Sequence, residues 1–524
     1  MTDPGSSVRP PADERVRDWA RRFGLDLGPA EFAALAEQVR ATVRRCGELD
    51  ESALGRTAEG AENRSVDVSH PGAGEDPLNA FASRFTLAPD GDGALSGLRV
   101  GLKDNIAVAG VEMACGSRLL AGYEPVRDAT VVTRLLEAGA TVAGKLNMED
   151  MAYSGSGEVS AAGPVLNPHD PDYLAGGSSS GCGAAVVAGD VDVALGTDQG
   201  GSVRRPAACC GCVGLKPTYG LVPHTGAVGL APTLDHVGVL SRTVEDCAAV
   251  LDVVAGPDGE DPRQALAGGA RAGDVRSEPR AVRSVDTAAE VDPGAVTVGV
   301  LGEGFGLSAD RGVDETVLAA LDRFAAAGAT VRDVSVPEHE VAPAVVTAIS
   351  THEAAATVDF DGGGRFLPGR HDERFARAFG DARRSRPDDL PLTLAVGVCA
   401  GQYLSESARG TYYARAQNAR PRLAAAYDRA LADVDVLAVP TVQRTAHERV
   451  ADPGPAAVLE RAASATENRA PFNATGHPAI SLPCGTHDGL PVGVMLVGPR
   501  WADGDLLAVA GAYETYVGLS PAPP

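Results

Sequence analysis

Lysine is almost missing from this chain of 524 residues. Of 46 basic side chains only Lys103, Lys145 and Lys216 are lysines, and arginine supplies the rest. Where arginine is the default cation, a retained lysine points to a property arginine lacks, the ability to lose its proton at usable pH. Aromatic residues make up only 4% of the chain and leave few landmarks for a binding pocket. Apolar runs are no longer than a handful of residues, so no segment reads as a membrane span. The opening stretch, MTDPGSSVRPPADERVRDWARR, has no apolar region of the kind a secretory signal needs. Nine cysteines, an odd number in a chain this long, do not form a disulfide framework and suit a reducing cytoplasm.

What the chain has in excess is acid. Asp and Glu number 70, and the net charge is −24. Asp outnumbers Glu, 42 to 28. This balance argues against nucleic acid as a partner. It matches a halophilic surface, because concentrated salt screens the self-repulsion of crowded carboxylates. A GC-rich genome would deplete lysine as well, and composition alone leaves both explanations open. Apolar residues at 44% and a mean hydropathy of −0.04 describe a globular chain, long enough for the cores of two to four domains.

Periodicity divides the chain. Val16, Trp19, Ala20 and Phe23, then Phe32, Leu35, Ala36, Val39 and Val43, predict two amphipathic helices over 13–45 with a break at Gly28-Pro29. The acidic, glycine-containing stretch 48–76 reads as a linker. From about residue 95 short apolar strands alternate with helical stretches, which predicts an α/β fold built on a large, partly parallel sheet. Strands are expected at 98–102, 141–146, 191–196, 297–302 and 434–440, and helices at 130–139 and 243–256, the second capped by Thr243. Residues 257–295 read as a surface loop, 303–430 as mainly helical, and 480–496 as a hairpin closed at Asp488-Gly489.

Three motifs imitate known chemistry and fail on context. Gly139-Ala-Thr-Val-Ala-Gly144-Lys145-Leu146 has phosphate-loop spacing, but Leu146 replaces the hydroxyl that would hold magnesium, and the segment reads as a strand. Gly177-Ser178-Ser179-Ser180-Gly181 has the spacing of a nucleophile elbow, yet no strand precedes it. Cys209-Cys210-Gly211-Cys212 lacks the second ligand pair of a zinc site and reads as small thiols packed in a core. A fourth constellation stands. It joins Lys103 in GLKDNI, the loop GGSSSG (176–181), and GTDQGGSVRRPA (196–207), in which two consecutive glycines precede Ser202. Paired glycines let backbone N–H groups converge beside a nucleophile, as an oxyanion hole requires.

On these residues the sequence resembles the amidase signature family of Ser-Ser-Lys amide hydrolases. GGSSSG, GTDQGGSVRRPA and CVGLKPTYGLVP (212–223) stand in the family's order, and Ser178 and Ser202 lie 24 positions apart, the family's interval. The tail APFNATGHPAISLPCG (470–485) and GLPVGVMLVGP (489–499) agrees, so the resemblance spans about residues 80–515. DQGGS, RDATVVTRLLEAGATVAGK (127–145), LVPHTGA (221–227) and the N-terminal helical unit make it most similar to bacterial enantioselective amidases associated with nitrile hydratase. Cys182, where many members have serine, and Cys210 near the catalytic loop are departures outside the implied triad.

The resemblance implies an amidase-signature fold, with a large mixed sheet surrounded by helices and an N-terminal helical unit. It divides the chain into a helical unit and linker (1–75), a core with the catalytic loops (76–300), a mainly helical small domain (301–430) and a return to the core (431–524). Ser202 would be the nucleophile, Ser178 the bridging serine held by a cis peptide to Ser179, and Lys103 the base that enters neutral. Gln199, Gly200, Gly201 and Ser202 would supply oxyanion-hole amides. Asp198 and Arg204 would brace the loop as an ion pair, and Lys145 and Lys216 would be structural. The implied reaction converts a primary carboxylic acid amide into the acid and ammonia through an acyl-enzyme. No cofactor or metal is expected. The partners expected are a small-molecule amide and a second copy in a homodimer, with no nucleic acid and no membrane, in the cytoplasm. The rival readings are the glutamine-hydrolysing component (the A subunit) of a tRNA-dependent amidotransferase, and an inactive binding protein on the same fold.

The acid excess generates a first prediction. The Debye length falls from about 10 Å at 0.1 M salt to about 3 Å at 1 M. If the composition is a salt adaptation, the melting temperature climbs steeply between dilute buffer and molar KCl. A flat melting temperature across that range assigns the missing lysines to genomic base composition instead.

Overall fold

The computed structural model describes residues 9–51, 64–89, 91–266, 291–308, 310–362, 367–464 and 466–520. It divides into two compact units, residues 1–61 and 62–524. In the first unit α1 (Asp13–Arg22) and α2 (Pro29–Glu51) meet through Val16, Phe32 and Ala36, with Leu27, Leu35 and Val39 around them. Trp19 and Phe23, expected on the apolar stripe of α1, are 41% and 79% exposed instead. Residues 48–51, read as linker, continue α2, and residues 52–63 of that linker lie outside the described set.

The second unit is built on one mixed sheet of eleven strands. In chain order these are β1 (Phe81–Leu87), β2 (Arg99–Lys103), β3 (Thr141–Leu146), β4 (Val193–Asp198), β5 (Val213–Lys216), β6 (His236–Ser241), β7 (Thr297–Leu301), β8 (Thr330–Val334), β9 (Val436–Pro440), β10 (Ala479–His487) and β11 (Leu490–Val497). Across the sheet they run β1-β3-β2-β4-β6-β5-β10-β11-β9-β7-β8. β2 is parallel to both β3 and β4, and β7 is parallel to both β8 and β9, while the other pairings are antiparallel. Alternate side chains feed two cores. Leu102, Val193 and Leu195 join one, and Leu146, Ala194 and Leu240 join the other.

Helices cover both faces. α3 (Thr130–Glu137) and α6 (Val244–Val254) contribute to the first core, and Thr243 caps α6 by accepting the Asp246 N–H at 3.1 Å. α4 (Ser180–Val187) and α5 (Arg204–Cys210) are buried along their whole lengths against the second. The segment read as mainly helical holds five long helices, Gly312–Ala326, Ala342–Asp359, Glu373–Ser385, Leu392–Ala408 and Thr411–Leu431, and also strand β8. β8 is an edge strand whose residues are all at least partly exposed, so it carries no apolar run to betray it. β1, β5 and β6 are further strands beyond those expected. Of the stretch read as a loop, residues 262–266 form a short helix and 267–290 lie outside the described set. The hairpin of β10 and β11 closes at Asp488-Gly489, as its sequence predicts. Among the described residues no helix is long and apolar enough to cross a membrane.

The close approach of α5 to β5 fixes one glycine. A Cβ on Gly214 would overlap Cβ of Ala207 and stand 3.1 Å from the Val203 carbonyl oxygen. Gly214→Ala is therefore expected to destabilise this unit by about 1–3 kcal/mol through overpacking, seen as a lower urea midpoint.

Candidate active site

β2 and β4 are parallel neighbours, so their C-terminal ends open on the same edge of the sheet. β2 ends at Lys103 and β4 at Thr197-Asp198. Lys103 is fully buried, and its Nζ lies 2.8 Å from Ser178 Oγ, 2.8 Å from Thr197 Oγ1 and 3.3 Å from the Thr197 carbonyl oxygen. Asn105 Nδ2 donates to Thr197 Oγ1 at 3.0 Å and to the Val228 carbonyl at 2.7 Å. No carboxylate among the described residues forms an ion pair with Lys103. Burial lowers its pKa to about 8, opposed in part by Cys182 and Asp198.

The other two lysines are also fully buried. Lys145 pairs with Asp104 at 3.2 Å. Lys216 bonds the Pro217 carbonyl at 2.9 Å and His236 Nε2 at 3.3 Å, and burial pushes it down to about 7. What distinguishes Lys103 is the serine hydroxyl at its tip.

Ser178 is reached through Gly176-Gly177 and is fully buried. The Gly177–Ser178 peptide is cis. The sequence reading put that bond one position later, between Ser178 and Ser179. Ser178 presents its carbonyl to the Glu149 N–H at 3.1 Å. The Glu149 carboxylate in turn accepts the N–H groups of Gly157 and, at 3.0 Å, Val159. Burial raises Glu149 to about 7. Ser179 ties the two loops together: its N–H donates to the Ser202 carbonyl at 3.1 Å and its Oγ to the Thr197 carbonyl at 3.2 Å.

The loop after β4 is shaped by Asp198. Its carboxylate accepts from the N–H groups of Gly201 (2.7 Å) and Val203 (3.1 Å), from Arg204 (2.9 and 3.1 Å) and from Asn473 Nδ2 (2.8 Å). Burial alone would raise this carboxyl, but the Arg204 guanidinium and the bond from Asn473 hold it well below the usual carboxylate range. Asp198 and Arg204 thus form the buried ion pair expected of them. The same geometry commits the Gly201 N–H to Asp198, so of the four expected oxyanion donors this one points elsewhere. Gly201 has φ +117, and a Cβ there would overlap the Arg469 side chain.

Gln199, Gly200, Gly201 and Ser202 line a cavity of about 430 Å³. Ser202 is half-buried at its wall, and no hydrogen bond joins its hydroxyl to that of Ser178. Ser178 and Lys103 are sealed behind it. Tyr153, Val346, Val396 and Leu459 form apolar walls, and Arg205 and Arg469 add charge. The thiols of Cys209, Cys210 and Cys212 are buried, and burial pushes each above its ordinary range. Sequence reasoning missed Thr197, Asn105, Glu149 and Asn473, because lone polar residues inside strands and loops carry no spacing signal.

Comparison with known proteins decides the family: the Amidase family model matches residues 79–507. The chain belongs to the amidase family. It is 40% identical to the enantioselective amidase of Rhodococcus rhodochrous, over 99% of this chain and 98% of that one. It is 41% identical to the A subunit of the glutamyl-tRNA(Gln) amidotransferase from Halobacterium salinarum, over 83% of this chain and 99% of that one. Among solved structures, the corresponding A subunit from Thermotoga maritima superposes with a TM-score of 0.68 at 33% identity, covering 86% of this chain and 91% of that one. The peptide amidase of Stenotrophomonas maltophilia gives 0.66 at 30% identity, covering 82% and 85%. The chain is a hydrolase acting on amide C–N bonds.

A protonated Lys103 has no lone pair with which to accept a proton. If Lys103 is the base, amide hydrolysis falls as pH drops through about 8 and levels off above it. A pH profile of kcat/KM measures this. Lys103→Arg keeps the cation but not the titration, and should be as inactive as Lys103→Ala, by at least about 100-fold.

Proposed function

We propose that this amidase hydrolyses a primary carboxylic acid amide to the acid and ammonia, with Ser202 as the nucleophile. Ser202 attacks the amide carbonyl while its proton passes through Ser178 to neutral Lys103. The negative charge that develops on the carbonyl oxygen is met by N–H groups of Gln199, Gly200 and Ser202, with Gly201 held by Asp198 as a brace for the turn. The proton returns to the leaving nitrogen, ammonia departs, and water takes the same route in reverse to release the acid. The observation that carries this reading is the 2.8 Å contact between buried Lys103 and Ser178, directly behind the cavity wall that holds Ser202.

A glutaminase component of an amidotransferase is the second reading, favoured by the Halobacterium salinarum relative. Coverage supports the first: the enantioselective amidase aligns over 99% of this chain, the amidotransferase component over 83%. Glutaminase activity, or co-purification with the other components of such a complex, would reverse the preference. Our reading also takes the protein as a cytoplasmic homodimer with a salt-adapted surface. The unpaired state of all nine cysteines and the net charge of −24 support the compartment and the surface.

Ser202→Ala should remain folded and lose turnover. With a slow substrate, fragmentation mass spectrometry of the wild-type tryptic peptide 146–204, which carries both Ser179 and Ser202, should place the acyl adduct on Ser202. An adduct on Ser179 instead would return the case to a nucleophile-elbow hydrolase.

A further inference from the structure

The cavity holds more positive charge than its protein neighbours neutralise. Arg204 is answered by Asp198, and Arg461, whose neighbour Ala462 lines the cavity, by Glu158 at 2.7 Å. Arg205 and Arg469 are 3% and 1% exposed, both line the cavity, and neither forms an ion pair among the described residues. Arg205 donates to Ser464, at 3.0 Å to the carbonyl and 3.4 Å to Oγ, and lies beside the Cys209 thiol. Arg469 Nη1 donates to the Thr441 carbonyl at 3.2 Å, and its Nε has no hydrogen-bond partner. That side chain lies against Gly201, next to the nucleophile.

An uncompensated buried cation is costly, and two side by side repel one another as well. The mutual effect is visible on Arg469, which burial and then the charges of Arg205 and Arg204 hold down at about 9, still protonated at neutral pH. In this strongly acidic protein no described carboxylate forms an ion pair with either; the buried Glu149, which burial raises to about 7, acts on Arg205 from beyond ion-pair distance and does not balance two cations. An anion on the substrate would complete the set of charges, because guanidinium groups bind carboxylates through charge-assisted hydrogen bonds.

We infer that the preferred substrate is a short amide whose acyl part carries a carboxylate, held by Arg205 and Arg469 while its amide carbonyl faces Ser202. The inference rests on the amidase reading and adds the substrate class to it. The apolar walls would then contact the chain between the two polar ends.

The test compares succinamate and glutaramate with 4-methylpentanamide, in which an isopropyl group replaces the carboxylate. At fixed salt, kcat/KM for the better acidic amide should exceed that for the apolar one by roughly tenfold to a hundredfold, the usual weight of a charge-assisted contact. Arg205→Met and Arg469→Met should each shrink that ratio toward one. A wild-type ratio of one or below overturns the inference, and so does a ratio that survives in both variants. Calorimetry on Ser202→Ala with the same amides reads the cationic site without turnover. Tighter binding of an acidic amide by about tenfold supports the inference, and equal binding overturns it. If wild-type protein releases ammonia from none of these amides yet binds the acidic ones selectively, the primary-amide reading fails and the carboxylate site stands.

Discussion

A lysine sealed from water with no carboxylate beside it is the constraint around which this site is arranged. A charged amine in that position would go uncompensated by any ion pair, so the interior favours the neutral form, and burial brings Lys103 to about 8. Valence then limits its orientation. A neutral amine has two hydrogens and one lone pair. The Thr197 carbonyl can only accept, and Thr197 Oγ1 already receives one hydrogen from Asn105. One amine hydrogen therefore goes to the Thr197 carbonyl, the other hydrogen and the lone pair are shared between the Thr197 and Ser178 hydroxyls, and a role as base requires the arrangement in which the lone pair meets Ser178. The sheet makes this possible, because the parallel register of β2 and β4 brings Lys103 and Thr197 to one edge.

Charge is used in the opposite way one residue further along β4. Asp198 is as deeply buried as Lys103 but keeps its charge, since Arg204, Asn473 and two backbone N–H groups surround it. Its task is mechanical: it clamps Gly201 and Val203 on either side of Ser202 and so sets the turn that presents the proposed nucleophile to the cavity. The clamp consumes the Gly201 N–H, which is why the oxyanion assignment narrows to its neighbours. Losing either partner of the pair would leave the other charged and buried, so the loop and the core of this region stand or fall together.

The parts of this arrangement that could be read from sequence are those with local signatures. Apolar runs marked β2, β3, β7 and β9, the Asp-Gly pair marked the hairpin of β10 and β11, and Lys103 stood out because arginine replaces lysine nearly everywhere else. The scarcity of lysine did not single out Lys103 by itself, since Lys145 and Lys216 are just as buried. Its serine neighbour did. Strand β8 was illegible because an exposed edge strand needs no apolar pattern, and β5 because four residues are too few to show one. Thr197 and Asn105 gave no signal since each acts through one hydroxyl or amide. Asn473 and Arg469 stand 269 and 265 positions beyond Arg204, and only the antiparallel return of β10 beside β5 brings their segment to the loop they support.

The contrast between surface and cavity links the composition to the chemistry. A net charge of −24 repels an anionic substrate at a distance, while Arg205 and Arg469 attract it at close range. The two forces differ in how salt reaches them. Exposed carboxylates are screened over about 10 Å at 0.1 M and over about 3 Å at 1 M, whereas charges enclosed by protein are screened much less. Raising the ionic strength removes the outer repulsion before it weakens the inner attraction. A salt-rich solvent would therefore let one chain combine a carboxylate-crowded exterior with a pocket that selects for carboxylates.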